Sequence, residues 1–277
     1  MPRTLSPLRY PGGKTKFYSH VQPIVVANIP HGTYIEPFAG GAGLALKLLY
    51  ENQVDKIVLN DYDYTIYCFW KTCLEYTDAF CNLVETCEIT MDNWYRQKDI
   101  YSTANLHSIL EVGFATFFLN RCNVSGVIQG GPIGGMLQAG PYRMDVRFNR
   151  PELINRIRKV GNQRSSIELF NQDASVFLRK TIFNYPAGTT LLNIDPPYVK
   201  KGALLYENFY KEKDHRELST IIQQLAYKWI VTYDKCDLIL KLYQDFPHEE
   251  ILIKYSAGQA KSGTELVIFS KNIIRQP

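Results

Sequence analysis

Several absences narrow the reading of this chain. No stretch approaches the ~20 consecutive apolar residues of a membrane-spanning helix. Met1-Pro2-Arg3-Thr4-Leu5-Ser6-Pro7 lacks the apolar segment of a signal peptide, so a cytoplasmic location is expected. The six cysteines, Cys68, Cys73, Cys81, Cys87, Cys122 and Cys236, are scattered and form no C-x-x-C pair. That spacing speaks against a disulfide framework or a zinc site and leaves buried or reduced thiols. No His/Cys cluster offers a metal, and none is expected. The net charge of +4 is too small to name a partner alone. What remains is a chain of 277 residues, long enough for one large domain or a domain with an insert.

The stretch that organises the rest is Asn193-Ile194-Asp195-Pro196-Pro197-Tyr198. It follows the apolar pair Leu191-Leu192 and reads as a short buried strand that stops abruptly. Pro196 and Pro197 cannot donate to a ladder, so the strand ends there. One carboxylate and one aromatic ring are thereby displayed at a strand's carboxyl end, where open α/β sheets bind ligands. Asp195 and the Pro196 carbonyl are two acceptors beside the Tyr198 ring, which suits a planar base with an exocyclic amine. A strand ending in a Pro-Pro turn with a solvated Asp is the plainer alternative.

Upstream, Pro11-Gly12-Gly13-Lys14 forms a tight turn before a helical stretch from Thr15 to Val26. The turn either brings backbone N–H groups and Lys14 toward an anion such as a carboxylate, or is simply a surface turn. Thr33-Tyr34-Ile35-Glu36-Pro37-Phe38 reads as the first sheet strand, followed by Ala39-Gly40-Gly41-Ala42-Gly43 and a helix over Leu44 to Tyr50. Strand, glycine loop and helix make a nucleotide-type cradle. No Lys-Ser/Thr follows these glycines, so the loop is not a phosphate loop. A second strand, Asp55 to Asp61, ends in an acid about 20 residues beyond the glycines, the spacing at which a carboxylate takes two ribose hydroxyls. Alternatively, Asn60 or Asp61 caps the helix that follows.

The strand–helix alternation lapses from about Tyr64 to Arg164, with helical stretches at 64–87, 106–121 and 151–160. About a hundred residues are too many for a connection inside a domain, so this is an inserted subdomain. Residues 92–164 hold ten Lys/Arg against five Asp/Glu. Within them lies a glycine-rich loop, Asn123 to Asn149. Basic residues among Asn, Gln and aromatics suit phosphate contact and base reading, or else form a solvated basic face. The alternation then resumes. Strands are expected over Ser166 to Asn171, ending near Asp173, over Thr190 to Ile194 and over Lys228 to Tyr233, with a helix at about 214–226 before the last. Glu250 to Tyr255 and Thr264 to Ser270 form a closing hairpin.

In this order the motifs resemble those of the Dam-type S-adenosylmethionine-dependent DNA adenine methyltransferases, over nearly the whole chain. Tyr10 and Lys14 match the family's N-terminal cofactor motif, Asp61 the acid after the second strand, and Asp195, Pro196, Pro197 and Tyr198 the catalytic motif. Phe118-Leu119-Asn120-Arg121 with Ser125-Gly126 is similar to the segment that opens the family's DNA-reading loop. The resemblance implies an α/β, Rossmann-like class I methyltransferase fold. A mostly parallel seven-stranded sheet is closed by an antiparallel strand near 264–270. Residues 1–63 and 165–277 would form the catalytic domain and 64–164 the inserted target-recognition subdomain. S-adenosylmethionine would be held by Tyr10, Lys14, Glu36, Phe38, Gly40, Gly43, Asp61, Asp195 and, at its adenine amine, Asp173. S-adenosylhomocysteine would be the product.

The substrate would be double-stranded DNA, with or without a cognate restriction endonuclease of the same system as a second partner. Asn120, Arg121, Asn123, Ser125, Gln129, Arg143, Arg147 and Arg150 are expected at the DNA, the arginines on phosphates and Asn123, Ser125 and Gln129 on base edges. Two departures stand out. The family's Phe-x-Gly-x-Gly pattern here reads Phe38-Ala39-Gly40-Gly41-Ala42, with the next glycine at Gly43. Val124 and Gln129 stand near positions where enterobacterial-type members carry an aromatic and an arginine. A site other than GATC is therefore expected. A same-fold enzyme acting on RNA or protein glutamine, or a non-catalytic nucleic-acid-binding module, stays open at this level.

Overall fold

The computed structural model describes residues 5–9, 17–199, 210–255 and 261–275. The chain divides into two compact units. One comprises Lys14–Tyr62 and Phe170–Pro277, the other Met1–Gly13 and Asp63–Leu169. Of the N-terminal stretch, the described residues 5–9 go with the helical unit.

The sheet runs in the order β3-β2-β1-β4-β5-β7-β6, where β1 is Thr33–Glu36, β2 Lys56–Asn60, β3 Ile167–Phe170, β4 Thr190–Ile194, β5 Lys228–Asp234, β6 His248–Tyr255 and β7 Lys261–Phe269. β1 pairs in parallel with both β2 and β4, and β4 pairs in parallel with β5. β7 lies antiparallel between β5 and β6. This is the mostly parallel seven-stranded α/β sheet of Rossmann-like methyltransferases, with its antiparallel insertion at β7. Helices α1 (Tyr18–Asn28), α2 (Gly43–Tyr50), α8 (Ala174–Arg179), α9 (Glu212–Gln223) and α10 (Asp237–Leu242) connect the strands.

Strands β1, β4 and β5 are almost continuously buried on both faces, as parallel strands covered by helices must be. One core layer joins Ile35, Val58, Leu192, Ile194, Val231 and Ile268 of the sheet to Phe177 and Leu178 of α8 and Leu218 and Ile222 of α9. Burying a side chain of this size contributes about 1.5–3 kcal/mol. The core therefore fixes the central strands, and the polar residues at their carboxyl ends inherit that rigidity.

The other unit is helical: α3 (Tyr64–Glu75), α4 (Thr77–Thr86), α5 (Met91–Ser102), α6 (Ile109–Cys122) and α7 (Arg150–Gly161). The single stretch expected at 64–87 is two helices, broken at Tyr76. Asp63, not Asn60 or Asp61, caps α3, its carboxylate accepting from Thr65 N and Ile66 N. Ser108 and Glu111 form a reciprocal capping box that starts α6. The core here is aromatic. Phe69, Phe80, Phe114, Phe117, Phe118 and Phe148 pack edge-to-face, tilted or stacked at centroid separations between 5.2 and 6.4 Å.

Candidate active site

The site grows from the carboxyl ends of β1, β2 and β4. After β1 the chain turns through Phe38 to Ala42, with Gly40 at φ 45° and Ala42 at φ 44°, both left-handed. The glycine adopts that geometry without a steric penalty, whereas the alanine carries strain of about 1 kcal/mol or more. Asn60, fully buried at the end of β2, ties the loops together. Its Nδ2 donates to Pro37 O at 2.9 Å and Gln172 O at 3.0 Å, and its Oδ1 accepts from Gln172 N at 3.0 Å. One amide thus staples the segments that follow β1 and β3 to the end of β2. Asp61 follows it, half-buried, and its Oδ2 accepts from Gly40 N at 2.7 Å. The acid expected at a ribose therefore also holds the glycine loop to the strand end.

Glu36 is buried at the end of β1, and Gly43 is buried at the start of α2. Burial, reinforced by Glu36 and Asp195, pushes the Tyr34 phenol well above its ordinary range, so it stays protonated beneath the two acids. Phe38 meets Tyr210 edge-on at 6.0 Å. Asp173 caps α8, its Oδ1 accepting from Ser175 N at 2.9 Å and Val176 N at 3.2 Å. Tyr10 and Lys14 lie outside the described residues.

Asp195 leaves β4 half-buried, and its Oδ1 accepts the Thr232 hydroxyl at 2.6 Å. Pro196 is buried and Pro197 half-buried. Tyr198, 8 % exposed, donates its hydroxyl to Glu265 Oε1 at 2.5 Å, and Val199 N donates to Asp234 Oδ1 at 3.0 Å. Thr232, Asp234 and Glu265 belong to β5 and β7, far in sequence from the motif, and nothing local in the sequence pointed to them. The structure thus gathers Glu36, Phe38, Gly40, Gly43, Asp61, Asp173 and Asp195–Tyr198 in the sheet unit.

The donor set fits S-adenosylmethionine. The left-handed turn at Gly40 and Ala42 opens backbone toward a ligand, while Asp61 suits vicinal hydroxyls and Asp195 or Glu36 an ammonium group. Among the described residues no group of three or more His, Cys, Asp or Glu is placed to hold a metal ion. Nor is any helix among them long and apolar enough to cross a membrane.

In the helical unit several residues expected at DNA turn out to be committed inward. Asn120 is fully buried, its Oδ1 accepting from Arg9 N at 2.8 Å and its Nδ2 donating to Arg9 O at 3.0 Å and Gly126 O at 2.8 Å. Gly126, at φ 76°, has no room for a side chain, because a Cβ would sit 2.1 Å from Arg9 O. Asn123 is also fully buried: it accepts Trp94 Nε1–H at 2.7 Å and donates to the carbonyls of Val127, Ile128 and Gly130 at 2.7–3.1 Å. It scaffolds the loop and is not displayed to a base edge, which corrects the expectation. Arg150 caps the end of α4, donating to Val84 O at 2.5 Å and Cys87 O at 2.7 Å, so its guanidinium is structural.

Arg121 is 6 % exposed, and its Nε finds no acceptor among the described residues. Burial, with Arg156 and Arg9 beside it, pulls its pKa down to about 9. Such a group is not a surface phosphate contact. Gln129, Arg143 and Arg147 are exposed, and Ser125 is half-buried at φ 57°.

The sheet order is that of the Rossmann-like class of methyltransferases. Residues 10–256 match the D12 class N6 adenine-specific DNA methyltransferases, and the chain belongs to that family. No curated protein sequence matches significantly. Among solved structures the chain is similar to a candidate RNA methyltransferase from Pyrococcus horikoshii, at 9% identity and TM-score 0.45, covering 99% of this chain and 91% of that one. It is similar to a SAM-dependent methyltransferase from Agrobacterium tumefaciens at 9% identity and TM-score 0.44, covering 93% and 61%. It is also similar to the rRNA methyltransferase aviRa from Streptomyces viridochromogenes at 10% identity and TM-score 0.40, covering 94% and 86%. These likenesses say nothing about the substrate of this chain.

Proposed function

We propose that the protein is a site-specific DNA adenine-N6 methyltransferase that uses S-adenosylmethionine. The observation that carries the reading is the Asp195–Tyr198 turn, held at the end of β4 with the Asp195 carboxylate oriented by Thr232. Membership of an adenine-specific family supports it. So do the basic surplus of residues 92–164 and the exposure of Gln129, Arg143 and Arg147.

The chemical difficulty is that the adenine amine is a poor nucleophile, because its lone pair is delocalised into the ring. S-adenosylmethionine, when bound, supplies a methyl group activated by a sulfonium. Asp61 and the loop it ties down would hold the cofactor, with Glu36 and Phe38 beneath that loop. Asp195 and the Pro196 carbonyl would accept the two amine hydrogens, which localises the lone pair on nitrogen. Transfer of the methyl leaves that nitrogen with one proton more than the product needs, and Asp195 is the base positioned to take it. The assistance is positioning plus electrostatic preorganisation, each worth several kcal/mol in enzymes generally. An amine inside a duplex is out of reach, so the base must leave the stack. The Tyr198 ring, fixed through its hydroxyl, would meet it. Methyl transfer from labelled S-adenosylmethionine to duplex DNA, to RNA and to protein tests the substrate class. Label in adenine of DNA alone is expected, and label only in RNA or protein refutes the reading.

A further inference from the structure

Asp234 and Glu265 oppose one another as Cα partners across the antiparallel β5–β7 ladder. Both are buried, 8 % and 1 % exposed. Opposed partners share one face of a sheet, so two carboxyl groups there repel when ionised, and like charges at such positions weaken the ladder. Burial adds the cost of desolvating each. A sheet that keeps such a pair has a use for it, and the hydrogen bonds show where it is spent. Glu265 Oε1 takes the Tyr198 hydroxyl at 2.5 Å and Asp234 Oδ1 takes Val199 N–H at 3.0 Å. Two residues before Asp234, and so on the same face of β5, Thr232 donates to Asp195. Consecutive prolines remove two backbone donors from the turn. The anchors accordingly fall on Asp195 before them and on Tyr198 and Val199 after them.

We propose that Glu265, paired with Asp234, is a positioning residue for methyl transfer. It fixes the Tyr198 ring and the far end of the turn, so that Asp195 and the Pro196 carbonyl keep the spacing the target amine requires. The proposal rests on the reading of this site as a methyltransferase centre. It assigns a part in the reaction to a residue in the closing hairpin, outside the cofactor and catalytic motifs.

The test is a mutant cycle on the full chain with Tyr198→Phe, Glu265→Ala and Glu265→Gln. It reads kcat and KM for DNA, cofactor affinity by calorimetry, and urea unfolding midpoints. Glu265→Ala should lower kcat about thirtyfold with KM and cofactor affinity within about twofold, and Glu265→Gln, which keeps an acceptor, should recover to within about fivefold of wild type. Combined with Tyr198→Phe, Glu265→Ala should fall no further than the worse single variant, in kcat and in urea midpoint alike. Wild-type kcat in Glu265→Ala, equal losses in Ala and Gln, or independent effects in the cycle would overturn the proposal. If Glu265→Ala does not fold, Tyr198→Phe with Glu265→Gln carries the same cycle. If the wild type methylates no adenine in DNA, the proposed function fails, while the urea cycle still decides whether Glu265 acts through Tyr198.

Discussion

Thr232→Val removes one hydroxyl and little else. Thr232 is fully buried in the middle of β5, and valine keeps its branched shape and strand preference. What disappears is the 2.6 Å bond that orients the Asp195 carboxylate. A hydrogen bond to a charged group is worth about 1.5–3 kcal/mol, and each ~1.4 kcal/mol is tenfold in rate. If the bond matters chiefly when Asp195 grips the target amine, methyl transfer should slow about ten- to a hundredfold with cofactor affinity little changed. Single-turnover transfer to duplex DNA, alongside calorimetric titration with S-adenosylmethionine, reads both quantities. Thr232→Ser restores the hydroxyl and should recover most of the rate. A valine variant within about twofold of wild type in single turnover would show that Asp195 needs no partner from β5.

Asp61→Ala leaves Gly40 N without its acceptor and removes the expected ribose ligand, so cofactor affinity should fall about tenfold or more by calorimetry. An unchanged affinity would limit Asp61 to holding the glycine loop. Asn123→Ala strands the buried Trp94 N–H and frees three carbonyls of the loop, so the urea transition should show a loss of about 1–3 kcal/mol. An unshifted transition would contradict its scaffolding role. Gln129→Ala should relax one base position of the recognition site by about 1–3 kcal/mol without altering the salt dependence of binding. Arg143→Ala and Arg147→Ala should each reduce the salt slope by about one, measured by DNA binding at graded salt.

Stability should also depend on His215. It is buried and bonded to Tyr233, and burial lowers its pKa below 6.5, against the opposing pull of Asp234 and Asp214. Between the lowered folded value and the unfolded value near 6.5, the unfolded chain binds more protons, so stability falls as pH drops through that window and returns above it. Urea midpoints from pH 7 to 5 should fall less in His215→Gln than in wild type, and equal falls would refute the assignment.

Strand positions were legible where a short buried run is closed by a residue that cannot continue it, such as Pro37 after β1 or Pro196 after β4. Helix α5 was not legible. It is polar over most of its surface, and only Trp94, Gln97 and Ile100 are buried, too few to announce a helical face. Asn123 looked like a base reader because a polar side chain in a glycine-rich loop is usually displayed, and Asn120 was placed at DNA by its resemblance to the family's segment; here both spend every polar atom bracing the loop. Thr232, Asp234 and Glu265 were invisible for another reason. Their partners lie between 35 and 67 residues away, and only the β4–β5 and β5–β7 pairings bring them together. Asn60 shows the same limit, since its carbonyl partners follow two other strands.

The most direct test of the central claim is methylation-aware sequencing of DNA from cells expressing the protein, with the Asp195→Ala variant beside it. The account predicts N6-methyladenine at one short adenine-containing site other than GATC, lost in the variant. No modified adenine with the wild type, or equal modification with the variant, would contradict it.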